Sequence, residues 1–307
     1  LEVIAVDVDH AKLASIAAGE SYVEDVSSKR LGSVSERITA TPRYAKLTKA
    51  DAIVVCVPTP LTANREPDLG VLRDAGLAIA GVLQEDQLIV LESTTYPGTT
   101  RERLVPLLEE SGMRAGHDFH VAYSPERVDP GRTDFTMRTT PKVVGGLTPA
   151  CGDRAEELYA HVCDDVVRVS SPDVAELTKL LENIFRSVNI ALVNELTLLC
   201  DRMGIDNWEV VDAAATNPYG FMRFDPGQAW VVIASPRPVL SVLARARVRY
   251  GDGVHRAGRK DQPGHAVQMR RARGARAQRP GEGRPRRARR NPGHQLQARC
   301  RRRSRRR

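Results

Sequence analysis

Short apolar runs separated by helix-patterned stretches recur along the first 170 residues of this chain, and no other feature restricts its fold as much. The runs are Leu1–Asp9, which ends in acids, then Ala52–Val57, Gln87–Glu92, His120–Tyr123, Lys142–Gly145 and Asp165–Val169. Each suits a buried strand and is too short for a core helix. Strands that alternate with helices are joined by crossovers that cover both faces of a sheet. The pattern therefore predicts an α/β fold with a Rossmann-like parallel sheet over residues 1–170.

A different pattern follows. Ser171-Pro-Asp173 supplies an N-cap, a proline at the first helical position and an acid in the first turn, and Gly204 supplies a stop, so one long helix is predicted between them. Leu177, Leu180, Leu181, Ile184, Val188, Ala191, Leu192 and Leu199 recur at helical spacing, while Lys179, Asn183, Ser187 and Asn194 fall on another stripe. A second helix is expected near Asn207–Thr216, which makes 171–227 a central helical region. Beyond Gly227 the alternation disappears and Arg, Ala, Gly and Pro dominate to Arg307. No core can be built from such a composition, so 228–307 is expected to be a disordered tail.

Charge divides the chain at the same place. The whole sequence carries 46 Lys and Arg against 38 Asp and Glu. Residues 228–307 hold 24 of those bases and three of the acids, which leaves 22 bases and 35 acids in 1–227. The body is therefore acidic, at −13, and the tail carries +21. A basic balance over the whole chain would point to a polyanion, but here it belongs to the tail alone.

The five cysteines form no Cys-x-x-Cys pair and no zinc-type spacing, which favours a reducing cytoplasm and no metal. There is no apolar run of about 18 residues to cross a membrane, and a secretory leader is not expected. Cys56 and Cys200 lie on apolar segments and read as small buried hydrophobes.

In open α/β sheets ligands bind beyond the carboxyl ends of the strands, so the residues just after each run are the candidates for chemistry. Asp7 at the end of the first run either accepts hydrogen bonds from an adenosine ribose or simply terminates a strand. The Gly-rich phosphate loop that precedes such an acid by about 20 residues is expected to be missing, because the chain starts too late to hold it. Cys56-Val-Pro-Thr-Pro60 and Glu92-Ser-Thr-Thr-Tyr-Pro-Gly98 follow the next runs and put hydroxyls and tight turns at strand ends. Each alone is compatible with ordinary turn chemistry.

Taken in order, Val6–Asp9, Cys56–Thr62, Arg65–Asp68, Leu91–Thr100, Ser124-Pro-Glu126, Lys142–Gly146 and Lys179–Asn183 with Asn194-Glu195 resemble the UDP-glucose/GDP-mannose dehydrogenase family, and most its UDP-N-acetylglucosamine 6-dehydrogenase branch. The resemblance covers nearly all of residues 1–227. It implies two successive NAD-dependent oxidations of a UDP-sugar C6 alcohol to a carboxylate, through a thiohemiacetal and a thioester on a cysteine, for polysaccharide biosynthesis. By motif position Asp7 and Lys12 would hold the adenosine ribose of NAD, and Pro58, Thr59 and Glu92 would line its cleft. Thr95 and Glu126 would sit near the reacting carbon and its water, and Lys179 with Asn183 would stabilise a developing oxyanion. Lys179 and Asn183 lie one helical turn apart and so face the same way. The family also implies a homodimer formed through the central helix. A different nicotinamide dehydrogenase with a similar sheet is the other enzyme reading, and the ordered set Thr95, Glu126, Lys179 and Asn183 argues against it.

The family's nucleophile loop, Gly-Gly-His-Cys followed by Asp-Pro, is absent, and the motif resemblance ends at Phe224–Gly227 where that loop is due. Back-translation of Ala229–Ser235, regrouped from the last base of the Gln228 codon, permits Gly-Met-Gly-Gly-His-Cys-Ile. Regrouping from the second base of the Arg237 codon permits Asp-Pro-Phe-Tyr-Leu-Ser-Trp. The tail thus reads as out-of-frame translation of a GC-rich gene, and a chain lacking the cysteine is expected to be inactive. The alternative is an NAD-fold protein whose Arg-rich tail binds nucleic acid, which the scarcity of aromatic residues for base stacking disfavours. Neither nucleic acid nor membrane is expected as a partner.

Overall fold

The computed structural model describes residues 1–23, 26–60, 62, 67–128 and 135–227. The predicted disorder and frame error of 228–307, and Arg65, lie outside the described residues. The elements in order are β1 (Val3–Val6), α1 (His10–Ala17), α2 (Ser28–Gly32), β2 (Ile38–Thr41), β3 (Ala52–Val55), α3 (Gly70–Ala80), β4 (Leu88–Leu91), α4 (Val105–Leu108), β5 (His120–Tyr123), β6 (Lys142–Gly146), α5 (Pro149–Ala160), β7 (Val166–Val169), α6 (Pro172–Met203) and α7 (Asn207–Ala214).

β1 and β2 pair in parallel, and a second sheet has the order β3-β4-β5-β6-β7. Two features depart from the sequence expectation. β6 runs antiparallel to β5, pairing Ala122 with Gly146 and Tyr123 with Gly145, so the sheet is mixed rather than wholly parallel. The described residues between these strands contain no helix, and without a crossover element the chain comes back beside the strand it left. β2 was not anticipated, because Ile-Thr-Ala-Thr is short and polar and buries only Thr41.

β4 is the middle of the core. Leu88, Ile89, Val90 and Leu91 are all buried, as expected of a strand covered on both faces. Ile89 and Leu91 pack with Val121 and Tyr123 against Leu72 and Ile79 of α3 and against Leu104 and Leu108. On the other face Leu88 and Val90 join Ala122, Val144 and the α5 residues Ala155 and Tyr159. The two glycines that end β6 permit close approach of backbone on either side. A Cβ on Gly146 would lie 2.2 Å from the Gly152 nitrogen of α5, and one on Gly145 would lie 2.2 Å from the Ser171 carbonyl that opens α6.

α6 begins and ends where its caps place it. The Ser171 side chain accepts from the Val174 N–H, Pro172 occupies the first turn, and Gly204 closes the helix at φ +70°. Its orientation was not foreseen. Ala175, Glu176, Leu180, Asn183, Ala191 and Asn194 are buried against the domain, while Leu177, Leu181, Phe185, Leu192, Leu196, Leu199 and Met203 are exposed. Of the polar stripe, Asn183 and Asn194 are buried and Lys179 and Ser187 partly so, while half of the predicted apolar stripe, Leu177, Leu181, Leu192 and Leu199, faces out. Among the described residues no helix is long and apolar enough to cross a membrane.

Candidate active site

The carboxyl ends of the parallel strands β3, β4 and β5 deliver Cys56–Pro60, Glu92–Gly98 and Ser124–Glu126 to one edge of their sheet, and Asp7 follows β1 of the two-stranded sheet. Side-chain hydrogen bonds stitch these loops together. The Ser93 hydroxyl donates to the Val57 carbonyl at 2.7 Å, and the Thr59 hydroxyl donates to the Thr94 carbonyl at 2.8 Å. Thr95 follows directly and is buried, whereas Pro58 remains exposed at the loop surface.

Asp7 ends β1. One carboxylate oxygen accepts from the Asp9 N–H at 2.8 Å, and the other lies 3.6 Å from Lys12 Nζ. Asp9 caps α1 by accepting from the N–H groups of Ala11 and Lys12. Both Asp7 and Lys12 stay partly open to solvent, so the carboxylate is free to accept hydrogen bonds from a ribose and the ammonium to hold a charge beside it. In donor chemistry these residues fit the adenosine end of a dinucleotide.

Glu92 faces inward. Oε1 accepts from the Tyr159 hydroxyl at 2.6 Å and meets Lys142 Nζ at 2.8 Å, and Oε2 lies 3.6 Å from Cys56 Sγ. Lys142 is almost wholly buried, its ammonium 5.0 Å from the centre of the Tyr159 ring. Such a buried ion pair holds only when both charges keep close partners. Lys142 also reaches Glu126 Oε2 at 3.8 Å, so one ammonium ties the floor of the β4 loop to the β5 loop. Sequence reasoning quoted Lys142 within a motif but did not place it in the site, and it missed Tyr159. Nothing in linear spacing shows that a strand lysine and a helix tyrosine share a carboxylate.

Cys56 is exposed as a residue, contrary to its reading as a buried hydrophobe, whereas Cys200 is buried as expected. Desolvation and the neighbouring Glu92 carboxylate push the Cys56 thiol up to about 12. Burial raises Cys163 as well. Thiols pushed in this direction are poor nucleophiles at neutral pH.

α6 contributes three polar residues on one face: Glu176, Lys179 and Asn183. Lys179 Nζ donates to the Glu126 carbonyl. Burial lowers the Lys179 ammonium below its ordinary range, opposed by the Glu182 carboxylate. Glu182 in turn pairs with Arg127 at 2.8 Å, beside Glu126. Glu126 itself accepts through Oε1 from the N–H groups of Arg127 and Val128 at 2.7 and 2.6 Å. Asn183 is buried, and among the described residues its Nδ2 has no hydrogen-bond partner. An amide donor left unpaired inside a fold is costly unless a ligand completes it. The structure therefore joins Glu126 to Lys179 on α6 and joins Glu126 to Glu92 through Lys142.

Hydroxyls, a carboxylate, a half-buried ammonium and an unpaired amide gathered beyond the strand ends of an α/β sheet are of the kind that a dinucleotide-dependent oxidoreductase uses. Residues 1–163 match the NAD-binding domain of the UDP-glucose/GDP-mannose dehydrogenase family, and residues 173–249 match its central domain. The chain belongs to that family. The second match runs beyond Gly227, where the motif resemblance stops. Among relatives, the chain is 37% identical over 227 residues to UDP-N-acetyl-D-glucosamine 6-dehydrogenase of Pseudomonas aeruginosa, covering 73% of this chain and 53% of that protein. It is 35% identical over 269 residues to UDP-N-acetyl-D-mannosamine dehydrogenase of Yersinia pestis, covering 82% and 64%. A solved UDP-D-ManNAc dehydrogenase from Pyrococcus horikoshii superposes with a TM-score of 0.76 at 29% identity, covering 89% of this chain and 64% of that one. The chain spans about half the length of the first of these relatives.

Proposed function

We propose that this chain carries the NAD-binding and central parts of a nucleotide-sugar 6-dehydrogenase acting on a UDP-sugar, UDP-N-acetylglucosamine foremost. The observation that carries the reading is the placement of Lys179 against the Glu126 carbonyl with Asn183 unpaired on the same helix face. Overall, an alcohol, two NAD⁺ and one water become a carboxylate, two NADH and three protons. NAD, when bound, accepts the hydride from C6 in each oxidation. Asp7 and Lys12 hold its ribose, Pro58 and Thr59 line the cleft, and Glu92 supports the cleft floor through Lys142 and Tyr159. The Lys179 ammonium and the Asn183 amide donate to the oxygen on C6 as charge develops there. Thr95 and the Glu126 carboxylate orient and deprotonate the attacking water.

The covalent step needs an activated thiol, and the four cysteines among the described residues are two buried ones, Cys151 and Cys200, and the two pushed-up thiols. We infer that the chain as translated binds NAD weakly, for want of the phosphate loop, and does not turn over. The domain limits 1–170, 171–227 and 228–307, a cytoplasmic setting and a role in polysaccharide synthesis accompany this reading. So does a homodimer through the exposed leucine stripe of α6. The test is calorimetric titration of the whole chain with NADH, followed by UDP-N-acetylglucosamine, UDP-N-acetylmannosamine and UDP-glucose. Binding of NADH that Asp7→Ala weakens, and UDP-sugar binding that Lys179→Met weakens, is the expected result. Absence of NADH binding, or NADH formation from any of these sugars by this chain, overturns it. Sequencing the gene across codons 225–240 decides the frame.

A further inference from the structure

Glu176 is fully buried on α6 and takes no part in the chemistry assigned above. Its carboxylate collects hydrogen bonds from one short stretch of the β4 loop. Oε2 accepts from the Gly98 N–H at 2.6 Å, and Oε1 accepts from the Thr100 N–H at 2.8 Å and the Thr100 hydroxyl at 2.7 Å. That stretch is the turn that follows Thr95. Gly98 adopts φ +92°, a left-handed conformation that aims its N–H at the helix, and the Thr99 hydroxyl closes the turn on the Tyr96 carbonyl at 2.6 Å. Three donors converge on one charge in a site without solvent, an arrangement that holds its members tightly.

The positions on either side give the clamp its consequence. Glu176, Lys179 and Asn183 occupy the same face of α6, so whatever fixes the Glu176 carboxylate also fixes where that face meets the β4 loop. Lys179 performs the corresponding tie to the β5 loop through the Glu126 carbonyl. The β4 loop is itself stitched to the β3 loop by Ser93 and Thr59. We propose that Glu176 is a positioning residue that locks the Thr95-bearing turn onto α6, setting Thr95 in register with Lys179 and Asn183. The proposal rests on the functional reading for the importance of those three residues, but its geometry does not.

Protonation is the natural perturbation of such a clamp. Protonation places a hydrogen on one of the two oxygens and removes the charge that strengthens all three bonds, so the grip on Gly98 and Thr100 loosens. Burial pushes Glu176 up to about 7, against the pull of its hydrogen bonds from Thr100 and Gly98, and Asp173 one turn earlier raises it further. Asp173 is paired with Arg101 at 2.9 Å. From β5, Tyr123 is the other ionisable neighbour, and it stays neutral because burial and the Glu176 charge both raise it. The clamp therefore passes between two states within the physiological range.

The test uses amide resonances of the isotopically labelled whole chain without any ligand, followed from about pH 5.5 to about pH 8.5. The Gly98 and Thr100 amides are expected to shift together with one midpoint, and the Thr95 amide and the Asn183 side-chain amide to follow the same curve. In Glu176→Gln all four are expected to lose the transition. Shifts at Gly98 and Thr100 without any at Thr95 and Asn183 would show a turn cap that positions nothing, and would overturn the proposal. So would the same titration persisting in Glu176→Gln, or no titration in the wild type. Should that variant fail to fold, the wild-type curves of the four groups still decide. Failure of the UDP-sugar reading appears in the calorimetry alone, so the two are separable.

Discussion

The close approach of β6 to the start of α6 at Gly145 gives a quantitative prediction. Replacing Gly145 by alanine puts a Cβ 2.2 Å from the Ser171 carbonyl oxygen, 2.6 Å from its carbon and 3.0 Å from the Pro172 nitrogen. All three are backbone atoms, so no side chain can swing aside. Ordinary contact begins near 3.4 Å, so the first residues of α6 must retreat by about 1 Å from the β6 backbone. Overpacking of this kind costs about 1–3 kcal/mol. The Ser171 hydroxyl that caps Val174 moves with the same segment, and its loss adds about 1 kcal/mol. The sum of about 2–4 kcal/mol lowers the melting temperature by about 5–15 °C for a domain of this size. Gly32→Ala is the control, because nothing lies within 4 Å of its added Cβ and its backbone is helical. It should be neutral or stabilising by up to about 1 kcal/mol. Thermal melts and urea unfolding of both variants measure these effects. A Gly145→Ala protein within about 0.5 kcal/mol of wild type would refute the claim that β6 and the start of α6 are packed backbone to backbone.

Glu176 makes stability depend on pH in an unusual direction. Its folded value of about 7 lies above the ordinary 4.5, so the folded chain keeps the proton longer, and its contribution is lost as pH rises from the lower value to the higher. Over that window stability should fall by about 3 kcal/mol, and Glu176→Gln should flatten the slope in urea unfolding followed against pH. Lys142→Met removes the buried partner of Glu92 and should cost about 3–5 kcal/mol by the same assay, with part regained in Lys142→Met/Glu92→Gln. Cys56, shifted from 9.0 to about 12, should hold about a thousandfold less thiolate at pH 8 than an unperturbed thiol, so mass-spectrometric alkylation there should be slow and should quicken in Glu92→Gln. Leu181→Arg, in the middle of the exposed α6 stripe, should convert a dimer to a monomer in light scattering and leave the fold intact by circular dichroism.

Local chemistry accounts for the parts that linear sequence made legible. Apolar runs announced β3, β4, β5, β6 and β7, and the Ser171-Pro172 start with the Gly204 stop bracketed α6, because strand burial and helix capping act between residues a few positions apart. The ordered motifs Thr59, Thr95, Glu126, Lys179 and Asn183 pointed to the family, which the matches to residues 1–163 and 173–249 show. What could not be read were decisions made across space. The reversal of β6 depends on whether a crossover covers the sheet, and β2 is held by its partner strand rather than by its own hydrophobicity. Lys142, Glu92 and Tyr159 meet only when β6, the β4 loop and α5 are packed together. α6 shows the limit most clearly. Its two stripes were visible from their spacing, but periodicity cannot say which one faces the domain. In the structure Gly98 and Thr100 hold the Glu176 carboxylate inside, and Leu177, Leu181, Leu192, Leu196 and Leu199 stay exposed while Leu180 is buried.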